Sequence, residues 1–260
     1  WPTIAPSAIP LDTGWQVPHA IGPAVLDALR HAYVRATQRA AEAGFDIIEV
    51  HGAHGYLLHS FLSPISNQRT DAFGGSLANR MRFPLEVAAL VRKNWPTGKP
   101  VFFRCSAVDD IEGGWMIEDS IELARALKAI GIDVVDCSSG GVAGSATAGK
   151  VPASARGPGF QVPYAERIRR DADVRTMAVG LILNGRQAES VLAEGRADLI
   201  AIGREALLNP NWPLHAAYEL GADPGFDRWE PQYGWWLTRR ETVLRKQGIA
   251  HQPAVMLPKA

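Results

Sequence analysis

Short apolar runs alternate with longer amphipathic segments through the middle of the chain. The runs are rich in β-branched or aromatic residues, which is typical of parallel strands that are buried on both faces. Five of them predict strands, at Phe45–His51, Pro100–Ser106, Ile132–Ser138, Thr176–Ile182 and Asp198–Arg204. Apolar residues spaced three and four apart predict helices at Ala24–Ala43, Leu77–Trp95, Ile117–Ile130 and Arg186–Glu194. This alternation indicates βαβ units and an α/β fold with a parallel sheet.

Two architectures fit such an alternation, a (β/α)8 barrel and a doubly wound sheet. Polar residues lie at the carboxyl ends of the predicted strands, and both folds bind their ligands at that edge. No G-x-G-x-x-G follows the first strand, which disfavours the dinucleotide-binding doubly wound fold. A closed barrel needs eight strands, but only five are evident, and residues 1–22, with four prolines, predict a loop. Near the other end, three tryptophans in 229–236 precede a predicted helix at 237–247.

The composition narrows the class of protein. Hydrophobic residues make up 47% of the 260, and 27 basic residues balance 27 acidic ones to a formal net charge of zero. Nucleic-acid binders and polybasic membrane-surface proteins both need a surplus of cationic residues, so neither partner is expected. No apolar run of 18 residues and no signal-peptide pattern is evident, and the two cysteines fit a reducing compartment. We therefore expect a cytoplasmic globular protein.

Imidazole and phenol side chains cluster directly after the first predicted strand, in the run His51-Gly-Ala-His54-Gly-Tyr56. Side chains of this kind can hydrogen-bond a substrate oxygen, transfer protons or bind a metal. A zinc site would need a third ligand, and no H-E-x-x-H motif or cysteine pair supplies one. The alternative is that both histidines only satisfy backbone groups of their loop.

Two further features suggest an anionic ligand. Arg104 lies inside an apolar strand, and burying its guanidinium costs free energy unless an anion pairs with it. That anion could belong to a ligand, or it could be the carboxylate of Glu49 or Asp136. The last two strands end in Val-Gly180-Leu181-Ile and Ile-Gly203-Arg204-Glu. Glycine at a strand end lets backbone N–H groups approach a phosphate, and the loops after the last two barrel strands often form such a site. Tight turns without a ligand are the alternative.

The run from His51 to Ser76, HGAHGYLLHSFLSPISNQRTDAFGGS, resembles the signature of the Old Yellow Enzyme family. The likeness continues through Arg104-Cys-Ser, Asp136-Cys-Ser-Ser-Gly, Val-Gly180-Leu-Ile and Asp198-Leu-Ile-Ala-Ile-Gly203-Arg204-Glu, and it extends over roughly residues 1 to 215. It implies a TIM barrel that binds FMN, takes hydride from NAD(P)H and reduces the C=C bond of an α,β-unsaturated carbonyl or nitro compound.

The resemblance also implies roles for individual residues. His51 and His54 match the pair that binds the substrate oxygen, and Tyr56 matches the tyrosine that protonates the α-carbon. Arg104 matches the arginine beside the flavin N1/O2 edge. The remaining matches, Gly180, Leu181, Gly203 and Arg204, correspond to the FMN phosphate cradle.

In the family, the first three barrel strands precede the region that resembles Trp1–Pro10. We therefore expect only about five of the eight βα units here, with 1–220 as the carboxyl-terminal part of a flavin-binding barrel. Residues 221–260 are expected to pack on the barrel or on a neighbouring protomer, because Glu230-Pro-Gln-Tyr-Gly-Trp-Trp resembles an end that serves a neighbour's site. A homo-oligomer, dimer or tetramer, follows as an expectation. Two alternatives stay open: a barrel fragment that acts as a non-catalytic binding or assembly partner, and a metal-assisted barrel hydrolase using His51 and His54.

Overall fold

The computed structural model describes residues 1–142 and 156–249 and contains two parallel sheets in this part of the chain. Near the amino terminus, β1 (Ile4–Ala5) pairs with β2 (His19–Ala20). The main sheet has the order β3-β4-β5-β6-β7 and is parallel throughout. Its strands are β3 (Ile48–Gly52), β4 (Val101–Ser106), β5 (Val134–Ser138), β6 (Arg175–Ala178) and β7 (Leu199–Ile200). The prediction of five sequential parallel strands is confirmed.

Helices connect the strands as βαβ units require. They are α1 (Pro23–Glu42), α2 (Leu57–Leu62), α3 (Leu77–Asn94), α4 (Ile117–Ile130), α5 (Val162–Ala172), α6 (Gly185–Ala193), α7 (Arg204–Leu208), α8 (Trp212–Glu219) and α9 (Pro231–Lys246). The predicted helices correspond to α1, α3, α4, α6 and the second half of α9. The other four were not predicted, because three have at most eight residues and α5 carries few apolar positions among its charges. None of the described helices is long and apolar enough to cross a membrane.

Local sequence explains where the predicted elements end. Gly131 caps α4 in the left-handed conformation (φ 95°), which glycine adopts without a steric penalty. The last two strands are shorter than predicted. After β6 the backbone turns left-handed at Gly180 (φ 113°) and Leu181 (φ 53°), so the chain leaves the sheet before Ile182. The pattern of apolar residues continues past that turn, which is why it predicted a longer strand.

Side chains of the sheet alternate between two faces, as the pleat dictates. One face packs under the helices and forms the core, with Val50, Phe103, Val135 and Ala178 at most 4% exposed. The other face carries polar residues near the carboxyl ends of the strands. Register pairs His51 with Arg104 and Arg104 with Asp136, so these three residues form a row across β3, β4 and β5.

The chain divides into two compact units. The first consists of Trp1–Leu181 with Gly195–Ala201, and the second of Ile182–Glu194 with the residues from Ile202 onward. The main sheet lies in the first unit, and α6 to α9 lie in the second. The expected role of residues 221–260 in packing on a barrel or a neighbouring protomer stays a prediction, and part of that segment lies outside the described residues.

Candidate functional site

The turn that follows β3 gathers three of the predicted side chains. The ring centroid of His51 lies 5.3 Å from that of His54 and 5.5 Å from that of Tyr56. Tyr56 begins α2 as its N-cap residue, and 66% of its surface is exposed. The sequence places these residues within six positions of one another, and the turn directs all three rings to one place.

The turn is held in an uncommon backbone conformation. His54 (φ 61°) and Gly55 (φ 75°) are both left-handed, which costs about 1–3 kcal/mol for a non-glycine residue. The His54 N–H donates to Ser106 Oγ at 3.0 Å, and this hydroxyl donates to Gly140 O at 2.8 Å. A Cβ on Gly55 would lie 2.0 Å from Gly141 O. Residues from three strand ends therefore determine where the His54 ring lies.

The His54 imidazole has one ring nitrogen in use. Nε2 lies 2.7 Å from Ser138 Oγ, and Gln161 Nε2 donates to the same hydroxyl oxygen at 3.2 Å. Burial, together with the charge of Arg104 and the neighbouring imidazoles, lowers the pKa of His54 to about 4. Burial and Arg104 also lower the pKa of His51. At neutral pH the His54 ring is therefore an uncharged hydrogen-bonding group whose Nδ1 points away from Ser138.

Arg104 forms the internal ion pair that the sequence left open as an alternative. Its Nε lies 3.0 Å from Asp136 Oδ2, and the side chains are 28% and 2% exposed respectively. Burial raises the pKa of Asp136 to about 6, against the lowering effect of Arg104. Burial and the Asp136 charge raise the pKa of Glu49 to about 7. The charge of Arg104 thus lowers the pKa values of two carboxyl groups, Asp136 and Glu49, whose burial raises them.

The two predicted glycine turns lie in different units. Gly180 is buried, and its carbonyl oxygen accepts the Gly159 N–H at 2.8 Å. A Cβ there would lie 2.8 Å from Gln161 Oε1, and the φ of 113° is one that other residues rarely adopt, so both features favour glycine. Gly203 and Arg204 belong to the second unit, where Gly203 is the N-cap residue of α7 and both are exposed. That these four residues act together on one phosphate stays a prediction.

Arg104 fits a ring that gains negative charge on reduction. The Arg104 side chain is 28% exposed on the face that carries His51, and its Nε faces Asp136. A cation in this position suits an acceptor that gains negative charge, as the flavin N1/O2 edge does on reduction. The donor set is therefore compatible with FMN.

Three residues near the site were not predicted: His59, Asp109 and Ser138. His59 and Asp109 are 0% and 3% exposed, and they contact each other with 2.9 Å between Nε2 and Oδ1. His59 within the apolar run Tyr56–Leu62 is a signal that could have found it, but its pairing with Asp109 spans 50 positions and depends on the fold. Ser138 ends a predicted strand, and its position alone did not reveal its contact with His54.

A cavity of about 860 Å³ opens beside the turn. The amino-terminal loop lines it with Ile9, Leu11 and Trp15, and the turn lines it with Tyr56 and Leu57. Its lining is largely apolar, so it suits the carbon skeleton of a small organic molecule.

The alternative function, a metal-assisted barrel hydrolase, would require a set of metal ligands around His51 and His54. Within residues 1–142 and 156–249, no group of three or more His, Cys, Asp or Glu side chains could hold a metal ion. His51 and His54 thus lack a third partner of that kind in the described part of the chain.

Sequence comparison finds close relatives. The chain is 48% identical over 219 residues to an NADPH dehydrogenase from Geobacillus sp. (strain WCH70), which covers 84% of this chain and 62% of that protein. An NADPH dehydrogenase from Listeria monocytogenes serotype 4a (strain HCC23) is 44% identical over 218 residues, with 84% and 62% covered. The chain therefore spans about 62% of the length of these relatives.

Solved structures of the same architecture resemble the chain as well. Morphinone reductase in complex with tetrahydroNAD superposes with a TM-score of 0.66 at 26% identity, covering 85% of this chain and 60% of that one. An Old Yellow Enzyme homologue from Zymomonas mobilis gives 0.67 at 26% identity, with 82% and 60% covered. The predicted partial barrel and the predicted family likeness are confirmed. Since the sequence pattern of the NADH:flavin oxidoreductase / NADH oxidase family also matches residues 8–223, the chain belongs to that family.

Proposed function

We propose that the protein is an FMN-dependent oxidoreductase that takes hydride from NAD(P)H and reduces the C=C bond of an α,β-unsaturated carbonyl or nitro compound. The convergence of His51, His54 and Tyr56 on one turn, on the sheet face that carries Arg104, is the observation that carries this proposal. The family membership and the names of the NADPH dehydrogenase relatives support it.

His51 and His54 bind the substrate oxygen in this proposal. Both imidazoles are neutral at pH 7, because their pKa values lie below the ordinary range. A neutral imidazole donates one hydrogen bond, and His54 Nε2 already faces Ser138. In this proposal His54 donates from Nδ1–H, and its Nε2 accepts the Ser138 hydroxyl, whose oxygen in turn accepts from Gln161 Nε2. Two such donors stabilise the negative charge that develops on the oxygen during reduction.

Tyr56 supplies the proton. Its phenol is exposed and borders the apolar cavity together with His54, and its ring centroid lies 5.5 Å from that of His51. General-acid catalysis by a positioned group contributes about 10²–10⁴-fold to a rate. The hydroxyl proton of Tyr56 is transferred to the α-carbon, and solvent restores it.

Arg104, Gly180, Leu181, Gly203 and Arg204 would hold FMN in this proposal, with Arg104 at the ring and the others at the phosphate. When bound, FMN supplies hydride transfer between the nicotinamide and the substrate. The apolar lining of the cavity excludes water from the reacting carbon atoms.

An absorption spectrum of the purified protein, followed by an NADPH-oxidation assay with 2-cyclohexenone, tests the proposal. We expect flavin bands and enone-dependent consumption of NADPH. Flavin bands without turnover of any enone or nitroalkene would contradict the substrate class. Failure to bind added FMN would contradict the redox function and favour a non-catalytic assembly partner. Sedimentation of the same sample tests the expected dimer or tetramer.

The Ser138 hydroxyl gives a first prediction. Replacing Ser138 by Ala removes the group that holds His54 in the Nδ1–H tautomer, so we expect kcat for enone reduction to fall by up to about 10-fold, the value of one hydrogen bond. The rate of flavin reduction by NADPH should stay within about 2-fold, because that step does not use the substrate oxygen. Pre-steady-state absorbance measures both rates. An unchanged kcat would show that Ser138 does not orient the ring.

A further inference from the structure

A buried histidine that takes no part in the proposed reaction lies next to the turn that carries His54 and Tyr56. His59, in the middle of α2, is 0% exposed. Its Nδ1 accepts the Gly55 N–H at 2.8 Å, and Gly55 stands between His54 and Tyr56. Its Nε2 lies 2.9 Å from Asp109 Oδ1. The imidazole thus connects the turn to the loop after β4.

These contacts select one tautomer of His59. Because Nδ1 accepts a backbone N–H, it carries no proton, and the ring hydrogen is on Nε2, facing the carboxylate. Asp109 keeps its own charge by accepting from Ser63 Oγ at 2.6 Å and from the Trp115 N–H at 2.7 Å through Oδ2. These interactions and His59 lower the pKa of Asp109 against the effect of burial. The carboxylate therefore only accepts hydrogen bonds.

We infer that His59 and Asp109 are positioning residues: Asp109 contacts His59 Nε2, and His59 Nδ1 accepts the Gly55 N–H, which holds His54 and Tyr56 in place for the reduction. The inference rests on the proposed function. The turn needs such support, because two successive left-handed residues form it and one of them is not glycine. Mispositioning of reacting groups by about 1 Å can cost about 100-fold in rate.

Asp109→Asn tests the tautomer directly. The Asn oxygen is needed by the Trp115 N–H, so its amide N–H₂ faces His59 Nε2 and moves the ring hydrogen to Nδ1. Two donors, His59 Nδ1–H and the Gly55 N–H, then oppose each other. In the ¹⁵N-histidine-labelled holoenzyme, NMR should show the Nε2–H tautomer of His59 in the wild type and the Nδ1–H tautomer in the variant. A wild-type ring protonated at Nδ1 would overturn the inference.

His59 variants separate positioning from packing. Asn retains an acceptor near the position of Nδ1, whereas Leu fills the space but accepts nothing. We expect His59→Asn to keep kcat for enone reduction within about 5-fold and His59→Leu to lower it by about 10- to 100-fold. The His59→Leu variant should nevertheless unfold at a higher temperature than the His59→Asn variant. If Leu matches the wild type, or if activity follows thermal stability, His59 only packs.

Asp198→Asn provides the matched control. Asp198 also accepts a backbone N–H, from Thr176 at 2.9 Å, and pairs with Arg169, but it lies at the amino end of the sheet. We expect this variant to lose stability and to keep its kcat within about 2-fold. If the wild type itself reduces no enone, the proposed function fails, whereas the NMR result still decides the tautomer of His59.

Discussion

Replacing Tyr56 by Phe is expected to lower kcat for enone reduction by about 10²–10⁴-fold, the range of a lost general acid. The ring remains, so the apolar cavity and the packing at the start of α2 are unchanged. We expect KM for the enone to stay within about 3-fold, because His51 and His54 hold the substrate oxygen. The rate of flavin reduction by NADPH should not change, since it requires no proton from Tyr56. Rapid-mixing absorbance resolves the two half-reactions.

Tyr33→Phe is the matched control for this prediction. Tyr33 lies in α1, outside the turn, and burial raises the pKa of its phenol. Its loss should leave both half-reactions unaltered. If Tyr56→Phe also retains the full rate of enone reduction, another group delivers the proton and the proposed role of Tyr56 is wrong. If both half-reactions slow equally, the variant has disturbed flavin binding.

Replacing Arg104 by Met is expected to destabilise the FMN-free protein much more at pH 8 than at pH 5. Asp136 has a folded pKa of about 6, above its ordinary 3.8, so the folded state favours the protonated carboxyl. At pH 8 the carboxylate is charged, and it loses its counterion. The loss is limited to about 3 kcal/mol, because protonating Asp136 two pH units above its pKa costs that much. At pH 5 the carboxyl is already protonated, and the ion pair contributes little.

Urea unfolding at the two pH values measures this difference. Adding Asp136→Asn to the Arg104 variant removes the unpaired charge, so the double variant should recover most of the stability lost at pH 8. Glu49, with a pKa of about 7, adds a smaller effect in the same direction. Equal destabilisation at both pH values would mean that Arg104 acts through packing.

We also expect the Arg104→Met variant to bind FMN at least about 10-fold more weakly, as measured by fluorescence titration.

The Arg104 prediction depends on an ion pair that forms within the chain itself. The sequence offered two explanations for an arginine inside an apolar strand, a ligand anion and an internal carboxylate. The structure shows the internal pair, between Arg104 Nε and Asp136 Oδ2, and leaves 28% of the arginine side chain exposed. In the proposed function, Arg104 would therefore stay paired with Asp136 while it contacts the edge of the flavin ring.

The sequence by itself determined the βα alternation, the five parallel strands and the turn that carries His51, His54 and Tyr56. Each of these depends on residues near in the chain: periodicity sets strand and helix, and six consecutive residues form the turn. The sequential order of those strands was implied only by the resemblance to a family of barrel proteins, because the alternation alone also fits a doubly wound sheet.

Only the tertiary structure decided how the site residues are held. Ser138 reaches His54 across 84 positions, and His59 reaches Asp109 across 50. Strand register brings Asp136 opposite Arg104. Such contacts depend on register and on the path of each loop, which a pattern of hydrophobic and polar positions does not encode. The residues that carry the proposed chemistry were therefore visible in the sequence, whereas the residues that set their tautomers and charges became visible only when the strands were brought together.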